Sequence, residues 1–134
     1  MHTTAVWWTL KPEHAVLFDK DTLQNGMMGI ANLLRIVAPL YLMCSPRDVA
    51  VSYQVKCPFT DLPTLILYDN CPGGVGLAEK AYKMRDTLLL HARLIAQDCH
   101  CEHGCPSCVG PVGEVGENGK ETAMKLIDLL LKKE

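Results

Sequence analysis

Apolar and β-branched residues form three short runs along the chain, and each run predicts a β-strand. They are "TTAVWWTL" at 3–10, "VAVSYQVKC" at 49–57 and "PTLILYDN" at 63–70. The first half of the third run is almost entirely apolar, which predicts a strand that is buried on both faces. Because only the turn-sized segment "PFTDLP" separates the second run from the third, these two strands are expected to pair antiparallel.

A longer apolar segment, "NGMMGIANLLRIVAPLYLMC" at 25–44, predicts a helix that ends or kinks near Pro39. Only Asn32 and Arg35 are polar inside it, so it is either a membrane span or a buried central helix. An arginine at mid-helix costs about 2.5 to 3.5 kcal/mol on membrane-insertion scales, and the segment barely reaches the roughly 20 residues that a bilayer needs. The pattern therefore favours the buried helix.

Two further helices are predicted by apolar positions that recur every three or four residues. The first runs from about Leu77 to Gln97, and the second lies near the end of the chain, where Asn118 and Glu121 form a capping box. The predicted inner positions of the first helix are Leu77, Ala81, Met84, Leu88, Ala92 and Ile95. Its predicted outer positions, which are of mixed sign and indicate a solvated surface, are Glu79, Asp86, Arg93 and Gln97. The expected fold is α+β, a small, mostly antiparallel sheet packed with about three helices.

Composition limits the functional classes. The length of 134 residues and the 49% apolar content are enough for a single domain, 1–134, with its own core. The net charge of −2 gives no overall preference for nucleic acid or an anionic membrane. The seven cysteines are an odd number and follow a start without a secretory leader, which indicates a reducing, cytoplasmic setting. Strand residues begin almost at once, so the domain is expected to be cut from a longer protein.

The densest chemistry lies in "CHCEHGCPSC" at 99–108, with four of the seven cysteines and two of the five histidines. Four thiolates can surround one Zn²⁺ as a closed tetrahedron, and Gly104 would let the backbone bring the two pairs together. The candidate ligands are Cys99, Cys101, Cys105 and Cys108. His100 or His103 could replace one cysteine, and a disulfide, a redox centre and an iron–sulfur cluster are further alternatives. The spacing favours the four-cysteine zinc site, because the bacterial ferredoxin spacing is absent.

Four protein ligands leave no coordination position for water or substrate, so a zinc ion held in this way would be structural. Its place in the sequence is between the Leu77 helix and the segment that leads into the last helix. The zinc is therefore expected to tie these two helices together.

The segment "YDNCPGGVGLAEKAY" at 68–82 places glycines between a predicted strand and a predicted helix. Gly73, Gly74 and Gly76 are candidate contacts for a phosphate or a neighbouring domain, because backbone N–H groups at a helix start attract anions. A tight turn without a ligand is the favoured alternative, since the pattern matches neither a P-loop nor GxGxxG. Cys71 is expected to be a packed thiol, and His2, His14 and His91 receive no role.

Four segments, in this order, carry a family resemblance: "MHTTAVWW", "LMCSPRDVAVS", "YDNCPGGVGLAEKAY" and "CHCEHGCPSCVGP". Together they resemble the zinc-binding domain at the C-terminus of MrfA-type DEAD/DEAH-box helicases, which is also found in the DrmB component of the DISARM defence system. The resemblance covers nearly the whole chain, and the cysteine block joined to "PGGVG" is its most specific part. It implies that Cys99, Cys101, Cys105 and Cys108 hold the zinc.

The helicases of this family resemble 3′→5′ DNA translocases that act in the repair of cross-linked or bulky damage. The sequence has no Walker A motif and no DEAD or DEAH box, so the resemblance implies an accessory module that supports DNA unwinding without being an enzyme by itself. The expected partners are the motor domains of the same protein and single-stranded DNA, with no membrane. The alternative is a structural or protein-docking zinc domain that does not touch DNA.

Overall fold

The computed structural model describes residues 5–15, 18–42, 49–54, 63–69, 77–99, 110 and 119–131. Within these ranges, three strands and five helical segments follow one another along the chain. They are β1 (Ala5–Thr9), α1 (Pro12–Ala15), α2 (Lys20–Leu42), β2 (Val49–Gln54), β3 (Thr64–Asp69), α3 (Leu77–Lys83), α4 (Arg85–Asp98) and α5 (Gly119–Leu131). The predicted α+β class is confirmed.

The three described strands form one antiparallel sheet in the order β1-β3-β2. The register places Val6 and Val51 opposite Leu67, and Trp8 opposite Leu65. The predicted pairing of β2 with β3 is therefore confirmed, and β1 completes the sheet on the other side of β3. Residues that share the face of Leu65 and Leu67 belong to the main hydrophobic core.

The strand β3 is central, but the prediction that it is buried on both faces is wrong. Leu65 and Leu67 are fully buried on one face, whereas Ile66 and Tyr68 on the other face are half-buried. The core that covers Leu65 and Leu67 also contains α2, α4 and α5 residues. Because the helices form a layer on one face of the sheet, the opposite face of β3 keeps contact with solvent.

The helix α2 is the centre of the helical layer, and its predicted role as a buried central helix is confirmed. It packs against β2, α4 and α5, and Ile30, Leu33 and Leu34 are fully buried. It begins at Lys20 rather than at residue 25, because the Asp19 carbonyl already accepts a helical hydrogen bond from the Leu23 N–H at 2.9 Å. It ends at Leu42, less than one turn beyond Pro39. None of the helices in the described ranges combines the length and the apolar character needed to cross a membrane.

The prediction of a single helix from about Leu77 to Gln97 is wrong, because the structure has two helices, α3 and α4, separated at Met84. Met84 has φ −105° and ψ 13°, and its N–H is shared between the carbonyls of Lys80 and Ala81 at 3.1 Å each. The helix α3 packs on β1 and β3, whereas α4 packs on α2 and α5. The break at Met84 therefore separates a part that covers the sheet from a part that joins the helical layer.

The predicted inner positions of this segment are otherwise confirmed where the structure describes them. Ala81, Leu88 and Ala92 are fully buried, and Met84 and Ile95 are half-buried against the core. Of the outer positions, Gln97 is exposed and Arg93 is half-exposed. The side chains of 77 and 79 lie outside the described residues.

The last helix, α5, crosses α2 at a glycine. A Cβ atom on Gly26 would lie 2.5 Å from Cγ2 of Thr122 and 2.7 Å from Cδ1 of Leu126, both on α5. The absence of a side chain at this position therefore permits the close approach of the two helices. Asn118 lies outside the described residues, so the capping box stays a prediction. Glu121 forms an exposed ion pair with Lys125 at 3.2 Å.

Candidate metal centre and its surroundings

Cys99 is the candidate zinc ligand that the structure describes, and it stands at the end of α4. Its N–H donates to the Ile95 carbonyl at 3.1 Å, which closes the last helical turn, while its φ of −70° and ψ of 136° are extended. The residue is half-buried against the core. The chain therefore enters the cysteine block by leaving α4 in an extended conformation, so the block begins where the helix ends.

A buried lysine joins this point to the start of α5. Lys120 is only 7% exposed, and its Nζ donates a hydrogen bond of 2.8 Å to the Cys99 carbonyl. A cation is favourable beside the carbonyls at a helix C-terminus, because they carry the negative end of the helix dipole. The contact between Lys120 and Cys99 therefore holds the first turn of α5 against the last turn of α4.

A second contact shows how the two helices run. The Arg93 guanidinium on α4 binds the Asp128 carboxylate on α5 through Nε–Oδ1 at 2.6 Å and Nη2–Oδ2 at 3.3 Å. Since Cys99 follows Arg93 and Lys120 precedes Asp128, these two contacts place α4 and α5 antiparallel. The cysteine block lies in the sequence between these two antiparallel helices, which form a helical hairpin.

The remaining candidate ligands, Cys101, Cys105 and Cys108, lie outside the described residues. In the part of the chain that the structure describes, no three His, Cys, Asp or Glu side chains form a group that could hold a metal ion. The donor set itself fits zinc, because four cysteine thiolates are the ligands of many structural zinc sites. The ligand assignment therefore stays a prediction, supported by the chemistry of the donors and by the position of Cys99 at the helix end.

Gly110 lies two residues after the last cysteine of the block and has a φ of 110°. This is a conformation that residues with a Cβ atom rarely adopt, and the residue is also buried. A glycine is therefore required where the chain leaves the cysteine block.

The candidate contacts in the glycine turn, Gly73, Gly74 and Gly76, lie outside the described residues. The elements on each side are described, since β3 ends at Asp69 and α3 begins at Leu77. The predicted strand before the glycines and the predicted helix after them are confirmed, whereas the turn between them stays a prediction. A role for the three glycines in binding a phosphate or a domain remains a prediction.

Two polar contacts join α2 to its neighbours and were not predicted from the sequence. Tyr41 Oη and His91 Nδ1 are 2.6 Å apart, and their ring centroids are 4.7 Å apart. Arg35 donates through Nη2 to the Val51 carbonyl on β2 at 2.7 Å and through Nη1 to Oδ1 of Asn32 at 2.7 Å. Only the second contact had a signal in the sequence, since Asn32 and Arg35 are the polar positions of an apolar helix.

Comparison with protein families identifies the chain. Residues 30–109, which include the four candidate zinc ligands, match the model of the MrfA Zn-binding domain. The chain belongs to the MrfA Zn-binding domain family. Zinc is thus the metal that the family indicates for this chain.

Relatives of this MrfA Zn-binding domain are found in bacteria and archaea. The chain is 40% identical over 128 residues to the uncharacterized ATP-dependent helicase YprA of Bacillus subtilis, which covers 96% of the chain and 17% of YprA. It is 31% identical over 81 residues to the uncharacterized protein MJ1572.1 of Methanocaldococcus jannaschii, with 58% of the chain and 71% of that protein covered. The chain thus spans about a sixth of the length of the helicase relative.

The fold is also similar to part of a solved helicase. The crystal structure of the DUF1998 helicase MrfA bound to DNA matches the chain with a TM-score of 0.77 and 40% sequence identity. The match covers 84% of the chain and 15% of the helicase. The described fold of this MrfA Zn-binding domain therefore corresponds to one part of a larger helicase.

Proposed function

We propose that this chain works as a single zinc-stabilised accessory domain of a DNA helicase, and that it supports unwinding without hydrolysing ATP. The observation that carries the proposal is the match in fold to MrfA, a helicase solved with DNA, at a TM-score of 0.77. The identity of 40% to YprA, whose name describes an ATP-dependent helicase, supports the same proposal. By the same resemblance, the proposed activity of the whole protein is 3′→5′ translocation in DNA repair or defence.

The proposed role of the metal is to fix the connection between α4 and α5. We assign one structural zinc ion to Cys99, Cys101, Cys105 and Cys108, with four thiolates that fill the coordination sphere. Cys99 directly follows the last residue of α4, and its carbonyl accepts a hydrogen bond from Lys120 of α5. A zinc ion at this point would hold the hairpin connection in one conformation and add to the bonds between the two helices. Clustered thiols stay reduced in the cytoplasm, which is the proposed location.

The proposed partners are the motor domains of the same protein and single-stranded DNA. Apolar side chains on the outer surfaces of α2 and α4 support contact with another protein domain, because large apolar groups in solvent mark interaction sites. Leu40 is 70% exposed and Ile36 lies one turn before it, while Leu90 and Leu94 have the same spacing on α4. In YprA, more than four fifths of the protein lies outside the matched part and could cover these residues. The glycines at 73, 74 and 76 are a further proposed contact.

The test uses the full-length helicase that carries this domain. Replacement of Cys105 and Cys108 by serine together should reduce DNA unwinding more than it reduces DNA binding. The physical reason is that a structural zinc affects how the domain supports the motor, whereas DNA affinity comes mainly from phosphate contacts elsewhere. Cys57→Ser is the matched control, because it removes a thiol outside the block, and it should unwind normally. Normal unwinding by the double variant, after its zinc loss has been verified, would remove the zinc site from the mechanism.

The second candidate function is protein docking without DNA contact, and the exposed leucines on α2 and α4 favour it. Replacing Leu40 and Leu94 by serine should weaken the association of the domain with the motor domains in both cases. The two candidates differ in DNA binding by the chain itself. Salt-dependent binding of single-stranded DNA by the purified chain supports the accessory helicase function, and its complete absence supports docking alone.

A further inference from the structure

The groove beside the edge strand β2 contains an arginine that is held in place by neutral groups. Arg35 projects from α2, and its Nη1 and Nη2 atoms donate to Oδ1 of Asn32 and to the Val51 carbonyl, each at 2.7 Å. In the described sheet, β2 has a strand neighbour on one side only. The side chain is therefore fixed across the open edge of the sheet, even though it is exposed to solvent.

The charge of Arg35 is not neutralised by the groups that hold it. Both acceptors are uncharged, whereas Arg93 in the same fold is paired with the Asp128 carboxylate. Among the described residues, no carboxylate forms an ion pair with Arg35. Because a guanidinium has five N–H donors and these contacts use two, donors remain that can bind an anion. The result is a positioned cation with its charge intact.

The arginine also faces a space large enough for a ligand. Arg35, Val49, Ala50 and Val51 line an open groove of about 360 Å³. This volume lies within the range of about 300 to 1,000 Å³ that is usual for ligand sites in proteins. Among the described lining residues, Arg35 carries the charge, so its guanidinium can determine the charge of the ligand.

We propose that this groove binds a phosphodiester group of a nucleic-acid strand, and that the Arg35 guanidinium is its phosphate ligand. Planar guanidinium groups form paired hydrogen bonds to phosphate oxygens, and here the group is already oriented before the ligand arrives. The groove of about 360 Å³ leaves room beside the guanidinium for the sugar on either side of the phosphate. The inference rests on the proposed function only for the choice of a nucleic acid as the source of the phosphate.

The first test is a titration of the zinc-loaded, ¹⁵N-labelled chain with a short single-stranded oligonucleotide of mixed sequence, followed by NMR. The Nε–H signal of Arg35 and the amide signals of Val49, Ala50 and Val51 should shift together. Inorganic phosphate should shift them at much higher concentration only, because it lacks the sugar contacts. Unmoved signals with the oligonucleotide would overturn the proposal. Equal affinity for inorganic phosphate would overturn the choice of a nucleic acid as the ligand. Polyglutamate is a second comparison ligand, and tighter binding of polyglutamate than of the oligonucleotide would indicate an acidic protein ligand and would also overturn that choice.

The second test uses variants that change the charge in the groove. Arg35→Gln should weaken oligonucleotide binding at least about tenfold, a loss of about 1.4 kcal/mol, because a hydrogen-bonded charge on the phosphate ligand is removed. It should also reduce the slope of log Kd against log salt by about 0.7, the value for one phosphate contact on a single strand. Arg85→Gln is the matched control, because Arg85 also donates to a main-chain carbonyl, that of Tyr82 at 2.9 Å, and it should bind as the unmodified chain does.

A third variant leaves Arg35 itself unchanged, so weaker binding by this variant cannot be explained by misfolding that follows loss of the arginine. Asn32→Asp replaces the neutral acceptor of Arg35 by a carboxylate of nearly the same shape, and it should weaken binding as Arg35→Gln does. Unchanged affinity and salt slope in both variants would refute the proposed site. Unchanged binding in both variants would contradict the phosphate site alone, and the proposed helicase function would still stand if loss of zinc impaired unwinding. Normal unwinding without zinc would contradict the proposed helicase function alone, and the phosphate site would still stand if binding depended on Arg35.

Discussion

Substitution of Gly26 by alanine tests the contact between α2 and α5, which sets the position of the hairpin that carries the cysteine block. Alanine in a helix interior is normally favoured over glycine by about 1 kcal/mol, so an unhindered helix would become more stable. Here the new Cβ atom would stand 2.5 Å from Cγ2 of Thr122 and 2.7 Å from Cδ1 of Leu126. Carbon atoms in favourable contact are about 3.5 to 4.0 Å apart, so the helices would have to separate by roughly 1 Å.

The magnitude follows from the balance of the two effects. Overpacking of a core costs about 1 to 3 kcal/mol, and Thr122 is a β-branched residue that cannot turn away easily. The contacts at 2.5 and 2.7 Å place the cost in the upper part of this range, at about 2 to 3 kcal/mol. After the gain of about 1 kcal/mol in helix propensity, Gly26→Ala should lower the free energy of unfolding by about 1 to 2 kcal/mol. For a chain of this size, the melting temperature should fall by roughly 3 to 8 °C.

The assay is thermal and urea unfolding, followed by circular dichroism. Thr122→Ser removes the methyl group that makes the shortest contact, so the double variant should lose at least about 0.5 kcal/mol less than the sum of the two single variants. An increase of about 1 kcal/mol in stability for Gly26→Ala would refute the reasoning, because it would mean that α5 does not pack closely on α2 at this point.

Three other changes have defined outcomes. Lys120→Ala should lower the free energy of unfolding, measured in urea, by about 1.5 to 3 kcal/mol, because the hydrogen bond to the Cys99 carbonyl is lost. Lys125→Ala is the control, since it breaks an exposed ion pair on the same helix and should change this free energy by less than about 0.5 kcal/mol. Equal effects of the two substitutions would contradict the role of Lys120. Tyr41→Phe should cost about 1 kcal/mol in the same measurement, because the hydrogen bond to His91 is lost, and no change would mean that water replaces it. Chelation of the metal should lower the melting temperature while most of the helical circular dichroism signal remains, and unchanged melting of verified metal-free protein would contradict a structural zinc.

The strands were predictable because each forms a compact run of apolar and β-branched residues. The prediction for β3 was partly wrong, since an apolar run shows that a strand is central but not whether helices cover both of its faces. Ile66 is as apolar as Leu65, yet it is half-buried because the helical layer lies on the other face. The number and position of covering helices depend on the whole chain, and the composition of one strand does not contain them.

The break at Met84 could not be predicted from the local pattern. The apolar positions continue at helical spacing through 77–97, without glycine or proline to mark an interruption. The interruption follows from tertiary packing, since α3 packs on the sheet and α4 packs on the other helices. Pro39 lies inside α2, which continues to Leu42, and residues 43–48 lie outside the described part of the chain, so the predicted end or kink near Pro39 stays a prediction.

The candidate metal centre was predictable in its chemistry and less so in its surroundings. Four cysteines within ten residues indicate a zinc site from the sequence alone, and the family match points to the same metal. The role of Lys120 was not predicted, because a lysine in the first turn of an amphipathic helix is usually solvated. Its partner, Cys99, is distant in the sequence and becomes a neighbour only when α4 and α5 form the hairpin.

The most direct test of the account is the zinc content of the purified chain and of its cysteine variants, measured by elemental analysis together with protein concentration. We expect one zinc ion per chain, complete loss of zinc in the Cys105→Ser and Cys108→Ser double variant, and full retention in Cys57→Ser. Retention in His100→Gln and His103→Gln would separate a four-cysteine site from one that contains histidine. A zinc content near zero in the unmodified chain, or full retention in the double variant, would contradict the central claim.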